Sequence, residues 1–329
     1  MRIKIFTALF IFSFGAANLC AQQLEILTEG GKSSLRGVTV YKNTVWVSGS
    51  AGTVGRSDDG GKSWQWGQVK GFEKTEFRDI EAIDENTEII MGIASPANIL
   101  TTTNGGKSWD LVYTNQHPSM FLDAMGFDKN RRGVVIGDPV NGRIFVAKAN
   151  GAGHWQETSA LGLPKAISGE AFFAASGTNI VLKQRKFYLV SGGRVSRLFM
   201  KNRSMLLPLM QGKETTGANS IAVFGRRIVV AGGDFMKPDR TDSVLAVSNN
   251  NGKTWKLPAQ PPTGYRSCVC FVNKKTLIAC GINGIDISTN GGRNWENISK
   301  QGFNGCVFNK ENKTVYFAGN KSGVGKISF

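Results

Sequence analysis

The chain has 329 residues, of which 41 are glycine and 9 are proline, and 40 Lys and Arg outnumber 24 Asp and Glu. Hydrophobic residues make up 41% and charged residues 19%, so the chain can bury a substantial core, which excludes wholesale disorder. No Gly-X-Y period is present, which excludes a collagen-like rod, and the abundance of glycine predicts a turn-rich, all-β chain.

The first 21 residues have the layout of a secretory signal peptide. Two basic residues precede an apolar run, and Ala21 offers a small residue at the expected cleavage position. The run is shorter than the about 20 apolar residues of a membrane-spanning helix. Cys20 leaves lipid attachment open as an alternative, but Leu19 stands where a lipobox has Gly or Ala. We expect a signal peptide at 1–21 and an exported mature chain, periplasmic or extracellular, at 22–329, without a transmembrane segment.

A short motif, Ser/Thr-x-Asp/Asn-x-Gly-x-x-Trp, recurs four times in the mature chain. The Asp or Asn side chain of such a motif bonds backbone N–H groups of its own turn, and the Trp ring anchors the turn by burial. We expect structural hairpin turns, with a ligand role as the alternative, and the Asn residues would leave a repeated calcium site short of charge. The motif positions are Ser57, Asp59, Gly61 and Trp64; Thr102, Asn104, Gly106 and Trp109; Ser248, Asn250, Gly252 and Trp255; and Ser288, Asn290, Gly292 and Trp295.

Strand-like runs open at regular intervals and divide the mature chain into seven units of about 44 residues. Four short strands in such a unit are typical of a β-propeller blade, and no useful helical period appears. The last unit is short and has no turn motif, so we expect residues 24–27 to supply its outer strand. The predicted fold is an all-β, seven-bladed propeller closed by an N-terminal strand. The runs open at Leu35, Phe77, Phe121, Phe172, Ile221, Tyr265 and Phe303.

The four turn motifs resemble the Asp-box, or bacterial neuraminidase repeat, of sialidases and sortilins. Together with the segments GDPV at 137–140, GGDF at 232–235 and GYRS at 264–267, they make the chain similar to the photosystem II stability/assembly factor-like propellers. The resemblance implies an exported, non-catalytic scaffold that binds a protein partner and assists a membrane or envelope complex. It does not imply photosynthesis. A glycan-binding or sialidase-like glycoside hydrolase propeller is the alternative.

Polar residues recur where the predicted inner strands begin, which is at one mouth of the central channel. Arginine binds carboxylate or phosphate through paired hydrogen bonds, so a small anionic ligand or a peptide is one expected occupant. A network in which these charges satisfy one another is the second interpretation. The residues expected at the mouth are Arg36, Arg78, Asp123, Glu170, Tyr265 and Arg266, with Asp138 and Asp234 at the ends of the next strands.

Hydrolysis is the third interpretation of the mouth. A sialidase-like mechanism would use Glu170, Asp123 and Tyr265 as its catalytic set, although the Phe/Tyr-Arg-Ile-Pro start of sialidases is absent. If the chain is an enzyme, we expect a glycoside hydrolase rather than an oxidoreductase. A chain without helices offers a dinucleotide no helix N-terminus, so we expect no nicotinamide or flavin cofactor.

The fourth unit is unusually basic. No Asp or Glu occurs between Glu170 and Glu214, whereas eight Lys or Arg residues do, among them Arg185, Arg194 and Arg197. A solvated basic face and a docking surface for an acidic protein, an anionic lipid surface or lipopolysaccharide are the alternatives. Export and the absence of a recognition motif argue against nucleic acid.

Four cysteines remain after Cys20, and all lie in the last fifth of the chain: Cys268, Cys270, Cys280 and Cys306. Free buried thiols and one disulfide both suit an exported β protein. If Cys268 and Cys280 lie on adjacent strands, they can face each other. A zinc site is not expected, because both histidines are distant in sequence and no Cys-x-x-Cys pair occurs.

Overall fold

The computed structural model describes residues 22–151, 153–159, 164–183, 186–200 and 203–329. The predicted signal peptide, with Cys20, and Arg185 of the fourth unit lie outside these residues. Every regular element within them is a β-strand, and the strands form seven sheets that are the seven blades of a propeller. None of these ranges contains a helix long and apolar enough to cross a membrane.

The strands of the first three blades follow one another regularly. After β1 (Glu25–Thr28), blade one contains β2 (Leu35–Tyr41), β3 (Thr44–Gly49), β4 (Thr53–Ser57) and β5 (Gln65–Gln68). Blade two contains β6 (Phe77–Ala82), β7 (Glu88–Gly92), β8 (Ala97–Thr102) and β9 (Asp110–Asn115). Blade three contains β10 (Leu122–Phe127), β11 (Arg132–Val140), β12 (Arg143–Asn150) and β13 (Trp155–Glu157).

The remaining strands form four blades, of which the fourth and fifth are interleaved. Blade four contains β15 (Ile180–Lys183), β16 (Lys186–Val190), β18 (Arg197–Met200) and β19 (Arg203–Leu206). Blade five joins β14 (Glu170–Ala171) and β17 (Gly192–Gly193) to β20 (Thr216–Phe224), β21 (Arg227–Asp234) and β22 (Leu245–Ser248). Blade six contains β23 (Cys268–Phe271), β24 (Leu277–Gly281), β25 (Gly284–Ser288) and β26 (Glu296–Ser299), and blade seven contains β27 (Gly305–Asn309), β28 (Thr314–Ala318) and β29 (Val324–Ser328).

The second strand of a blade lies between two neighbouring blades, and its side chains are buried on both faces. All residues of β3, β7, β24 and β28 are buried, in contrast to the outer strand β5, which is exposed throughout. This arrangement explains why the second strands are nearly continuous apolar runs, such as Val45, Trp46 and Val47. The core is therefore divided among the interfaces between blades.

The predicted ring closure is confirmed. Strand β1 pairs antiparallel with β29, with Glu25 opposite Lys326 and Ile26 opposite Gly325, so it is the outer strand of blade seven. The Lys326 Nζ atom also lies 3.3 Å from Glu25 Oε2. The N-terminal strand thus covers an edge that would otherwise offer unpaired backbone groups.

Two of the predicted unit boundaries are wrong, and both concern the fourth and fifth units. Phe172 and Ile221 do not open inner strands, because β15 begins at Ile180 and β20 at Thr216. In this region β17 pairs with β20, with Gly192 opposite Gly217. A Cβ on Gly217 would lie 2.5 Å from the Gly192 Cα, so glycine permits a backbone contact that a repeat of 44 residues does not predict.

The four motif turns contain the expected hydrogen bonds between side chains and backbone. In the first turn, Asp59 Oδ1 accepts the N–H groups of Lys62 and Ser63, each at 2.9 Å, and Ser57 Oγ accepts the Gly61 N–H at 2.7 Å. Hydrogen bonds from Ser63, first from its hydroxyl and then from its N–H, hold the pKa of Asp59 below its usual range. The other three turns repeat this pattern, with Asn104, Asn250 and Asn290 as acceptors at 3.0, 2.9 and 2.9 Å.

We expect an Asp59→Ala substitution to lower the melting temperature by about 2–4 °C, because two N–H groups lose their acceptor. Asp59→Asn should stay within about 1 °C of the unsubstituted protein, since Asn occupies this position in the other three turns. Thermal unfolding followed by circular dichroism measures both effects. Equal melting temperatures for the two variants would show that the side-chain acceptor does not support the turn.

Strand direction places these turns far from the channel mouth. An inner strand begins at the mouth, its antiparallel neighbour ends there, and the third strand runs away from it. Each motif starts at the last residue of a third strand: Ser57 of β4, Thr102 of β8, Ser248 of β22 and Ser288 of β25. The turns and the mouth therefore lie at opposite ends of the propeller.

Candidate ligand-binding site at the channel mouth

A cavity of about 450 Å³ opens at the mouth where the inner strands begin. Blades one, two, three, five and six and the segment that leads into blade four contribute to its lining, which brings residues far apart in sequence around one space. Its polar lining residues are Arg36, Arg78, Asp138, Asn219 and Tyr265, and its larger apolar ones are Phe121, Phe172, Phe173, Phe235 and Ile282. Four of the residues predicted at the mouth thus meet in one cavity: Arg36, Arg78, Asp138 and Tyr265.

The two arginines supply the positive charge of the cavity. Arg36 lies on β2, and among the described residues no carboxylate pairs with it. Arg78 lies on β6, and its nearest acidic partner is Glu76, with 3.8 Å between Arg78 Nη2 and Glu76 Oε2. Burial, and then the charge of Arg36, lower the pKa of Arg78, and both arginines line the same cavity. Two weakly neutralised guanidinium groups are suited to bind an anionic group.

Two carboxyl groups lie beside the arginines. Asp138 Oδ1 accepts the Phe172 N–H at 2.8 Å, yet burial raises the pKa of Asp138 above its usual value. Asp123 on β10 is fully buried, and burial followed by the charge of Asp138 raises its pKa well above the usual range. Asp123 does not line the cavity, so it is not placed to act on a ligand directly.

Aromatic side chains form much of the apolar lining of the cavity. Tyr265 is 4% exposed, and its hydroxyl donates a hydrogen bond of 2.9 Å to Asn219 Oδ1. Phe235 makes edge-to-face contacts with Phe173 and Tyr265, at ring centroid distances of 5.8 and 6.5 Å. Phe235 and Ile282 remain 37% and 45% exposed, so they offer apolar surface to a ligand. A ligand that carries both an anionic and an apolar group matches this lining.

Contrary to the prediction of a binding role at the mouth, Arg266 does not line the cavity, and its side chain is fully buried. Its guanidinium group forms an ion pair with Asp286, which is also fully buried. It also donates hydrogen bonds to Thr263 Oγ1 and Asn283 Oδ1, both at 2.7 Å. Arg266 is thus occupied inside blade six and has no donor left for a ligand.

Glu170, which belongs to the sialidase-like catalytic set, is likewise engaged. It is buried and forms an ion pair with Arg197, whose Nε donates to Glu170 Oε1 at 2.8 Å. Glu170 Oε2 also accepts the Ile167 N–H at 2.9 Å. Of the six residues predicted at the starts of the inner strands, only Arg36, Arg78 and Tyr265 line the cavity. The structure does not bring the other three, Glu170, Asp123 and Arg266, into it.

The Glu170 pair also changes the interpretation of the basic fourth unit. Arg197 is 12% exposed and Arg194 is 59% exposed, and Arg194 pairs with Glu214 at 3.4 Å. Glu170 and Glu214, the acids at the two ends of the acid-free stretch, therefore pair with Arg197 and Arg194. The third arginine predicted for the basic surface, Arg185, lies outside the described residues.

Asp234, also expected at the mouth, is 1% exposed and accepts the Met236 N–H at 3.0 Å. Its role is to shape the turn after β21.

The apolar part of the cavity was not predicted from the sequence. The sequence does contain a pattern that indicates it: Phe121, Phe172 and Phe235 each lie within two residues of a polar residue predicted at the mouth. In the described part of the chain, no group of three or more His, Cys, Asp or Glu residues is arranged to hold a metal ion. The side chains that line the cavity offer positive charge, hydrogen-bonding groups and aromatic surface to a ligand.

Neither a protein-family profile nor a curated protein sequence matches the chain. Solved structures do match it over nearly its whole length. YCF48 bound to D1 peptide has 14% identity and a TM-score of 0.64, over 95% of this chain and 96% of its own. YCF48 from Cyanidioschyzon merolae has 16% identity and a TM-score of 0.65, over 93% and 98% of the two chains.

A third match is the WD40 domain of Neurospora crassa Pan2, with 13% identity and a TM-score of 0.62, over 93% of this chain and 95% of its own. Identities this low establish a common fold and no more. The chain thus shares the propeller fold of YCF48, a photosystem II assembly factor, as its resemblance in sequence to that family implied.

Proposed function

We propose that the chain is a non-catalytic, peptide-binding propeller that holds a segment of a partner protein at the channel mouth. The bound segment carries a carboxylate, either a side chain or a free C-terminus, next to an apolar side chain. The observation that carries this proposal is the pairing of Arg36 and Arg78 with an aromatic surface in one cavity. The carboxylate would bind the guanidinium groups, and the apolar group would cover Phe235.

The size and composition of the cavity support a peptide over a large ligand. A volume of about 450 Å³ accommodates two or three side chains rather than a folded domain. Among the lining residues Asp138 is the one carboxylate that opposes the two arginines, because Asp123 lies outside the lining. A structural neighbour, YCF48, is described as bound to a D1 peptide, which supports peptide binding by a propeller of this fold.

The wider role that we propose is assistance to the assembly or stability of a membrane or envelope protein complex, after export. Its support is the signal-peptide layout of residues 1–21 and the resemblance to assembly factor-like propellers. A scaffold of this kind needs a specific binding surface and no catalytic group. The engagement of Glu170 by Arg197 is in keeping with such a role.

The test is binding of fluorescein-labelled 12-residue peptides, first selected on a random array, measured by fluorescence polarisation. Each selected peptide is compared in a form with its carboxylates and a form in which they are amides. We expect the amide form to bind at least about tenfold more weakly, because a charge-assisted hydrogen bond contributes about 1.5–3 kcal/mol. The Arg36→Gln/Arg78→Gln variant should lose a similar factor with the carboxylate form and little with the amide form.

The matched control is Arg131→Gln, which removes one exposed arginine from the β10–β11 turn at the other end of the propeller. It should bind the peptides as the unsubstituted protein does. Asp138→Asn should bind the carboxylate form at least as tightly, since it removes negative charge from the cavity. Equal binding by the Arg36→Gln/Arg78→Gln variant and the unsubstituted protein would refute the proposed site.

A further inference from the structure

Four cysteine side chains meet at the interface between blades six and seven. Cys268 and Cys270 lie two residues apart on β23, Cys280 lies opposite Cys268 on β24, and Cys306 lies on β27. Residues two apart on a strand point to the same face, so Cys268 and Cys270 both face blade seven. The Cys306 Sγ atom is 3.5 Å from Cys268 Sγ and 3.7 Å from Cys270 Sγ. All four cysteines are free thiols.

The four thiols differ in their access to solvent. Cys268 and Cys280 are fully buried and Cys306 is 4% exposed, within an apolar cluster that includes Phe303 and Phe317. Cys270 alone among the four is only partly buried. A dissolved oxidant therefore reaches the group through Cys270. The nearest sulfur across the blade interface is then Cys306.

We propose that Cys270 and Cys306 form a disulfide that joins blade six to blade seven. The S–S bond length is about 2.05 Å, so the two sulfur atoms need to approach by about 1.7 Å, which rotation of the side chains and a small shift of the strands supply. The bond would connect the inner strands of two neighbouring blades. One of them, blade seven, is the blade that the N-terminal strand closes.

The reaction is thiol–disulfide exchange with a disulfide oxidant, either a small molecule or a protein. The Cys270 thiolate attacks the oxidant, forms a mixed disulfide and releases one thiol. The Cys306 thiolate then attacks the Cys270 sulfur, forms the protein disulfide and releases the second thiol. The two protein thiols lose two electrons to the oxidant's disulfide, and their two protons end on the two released thiols.

The other two cysteines have a different place in the cluster. Hydrogen bonds from the Cys280 and then the Cys306 thiol lower the pKa of Cys268, and Thr178 Oγ1 lies 3.6 Å from Cys268 Sγ. Cys268 is therefore held in a network deep in the interface. Cys280, which is fully buried behind Cys268 on the next strand, has no path to an oxidant.

The experiment treats the full chain, carrying Cys20→Ser so that four thiols remain, with oxidised glutathione. Maleimide labelling counts the free thiols, and peptide mapping without reductant locates the bond. We expect two thiols to disappear and the peptides with Cys270 and Cys306 to be joined. The melting temperature should rise by about 5 °C or more, because the bond closes a loop of 36 residues, and dithiothreitol should reverse the rise.

Two variants separate this disulfide from other outcomes, and each is first compared with the parent in reductant to establish that it is folded. Cys306→Ala should keep one glutathione on Cys270, form no cross-link and show no rise in melting temperature. Cys280→Ala is the matched control and should form the Cys270–Cys306 bond as the parent does. Four unreacted thiols in the parent, a bond between any other pair, or one equivalent of zinc held by the cysteines would each overturn the proposal.

Discussion

We expect Arg266→Ala to lower the free energy of unfolding by about 3–5 kcal/mol, which is a large share of the stability of an ordinary domain. Arg266 is fully buried, and it neutralises Asp286, which is fully buried as well. Without the guanidinium group, the Asp286 carboxylate would remain charged and uncompensated in blade six. The Tyr265 carbonyl and the Asn283 amide oxygen, which accept hydrogen bonds of 2.6 and 2.7 Å, would lose their donor too.

Urea unfolding followed by tryptophan fluorescence measures this loss. The matched control is Arg240→Ala, which breaks an ion pair with Asp242 whose side chains are 44% and 60% exposed. Its cost should be below about 1 kcal/mol, because solvent screens an exposed pair. A double variant, Arg266→Met/Asp286→Leu, should recover part of the loss, since it removes both buried charges. A cost for Arg266→Ala no larger than that for Arg240→Ala would contradict the ion-pair account.

Removal of residues 22–30 should produce the second large effect, a fall in melting temperature of about 5 °C or more. The deletion removes β1, which pairs with β29, and with it the contacts of Leu27 against the cluster around Leu35, Val47 and Val324. Burial of a leucine side chain contributes about 1.5–3 kcal/mol. The deletion also exposes the edge of β29, so aggregation during heating should increase.

Differential scanning calorimetry measures the change, and Ile26→Ser is the control. Ile26 lies in the middle of β1 but is 41% exposed, so its substitution tests the side chain while the backbone ladder remains. The melting temperature of this control should change by no more than about 2 °C. An unchanged melting curve for the deletion would show that β1 does not hold the ring closed.

The mouth residues show what position in a repeat predicts about this site. Arg36 and Arg78 occupy the same position at the start of two inner strands, and position in a repeat predicts position around the channel. Arg266 occupies a comparable position, but its side chain turns into blade six toward Asp286. Repeat position identifies the end of the propeller at which a residue lies, and it does not identify the direction of the side chain.

The amino-acid sequence by itself determined the all-β class, the seven repeats, the four turns and the closure by β1. The class and the turns follow from patterns within a few residues, the repeats follow from a regular spacing, and the closure follows from the outer strand that the last unit lacks. The tertiary structure alone decided which charges are free. Arg266, which precedes β23, and Asp286 on β25 are 20 residues apart, and Arg197 on β18 and Glu170 on β14 are 27 apart. Their pairing depends on packing between strands and blades, as does the lack of a carboxylate partner for Arg36 among the described residues, and no local pattern encodes this packing.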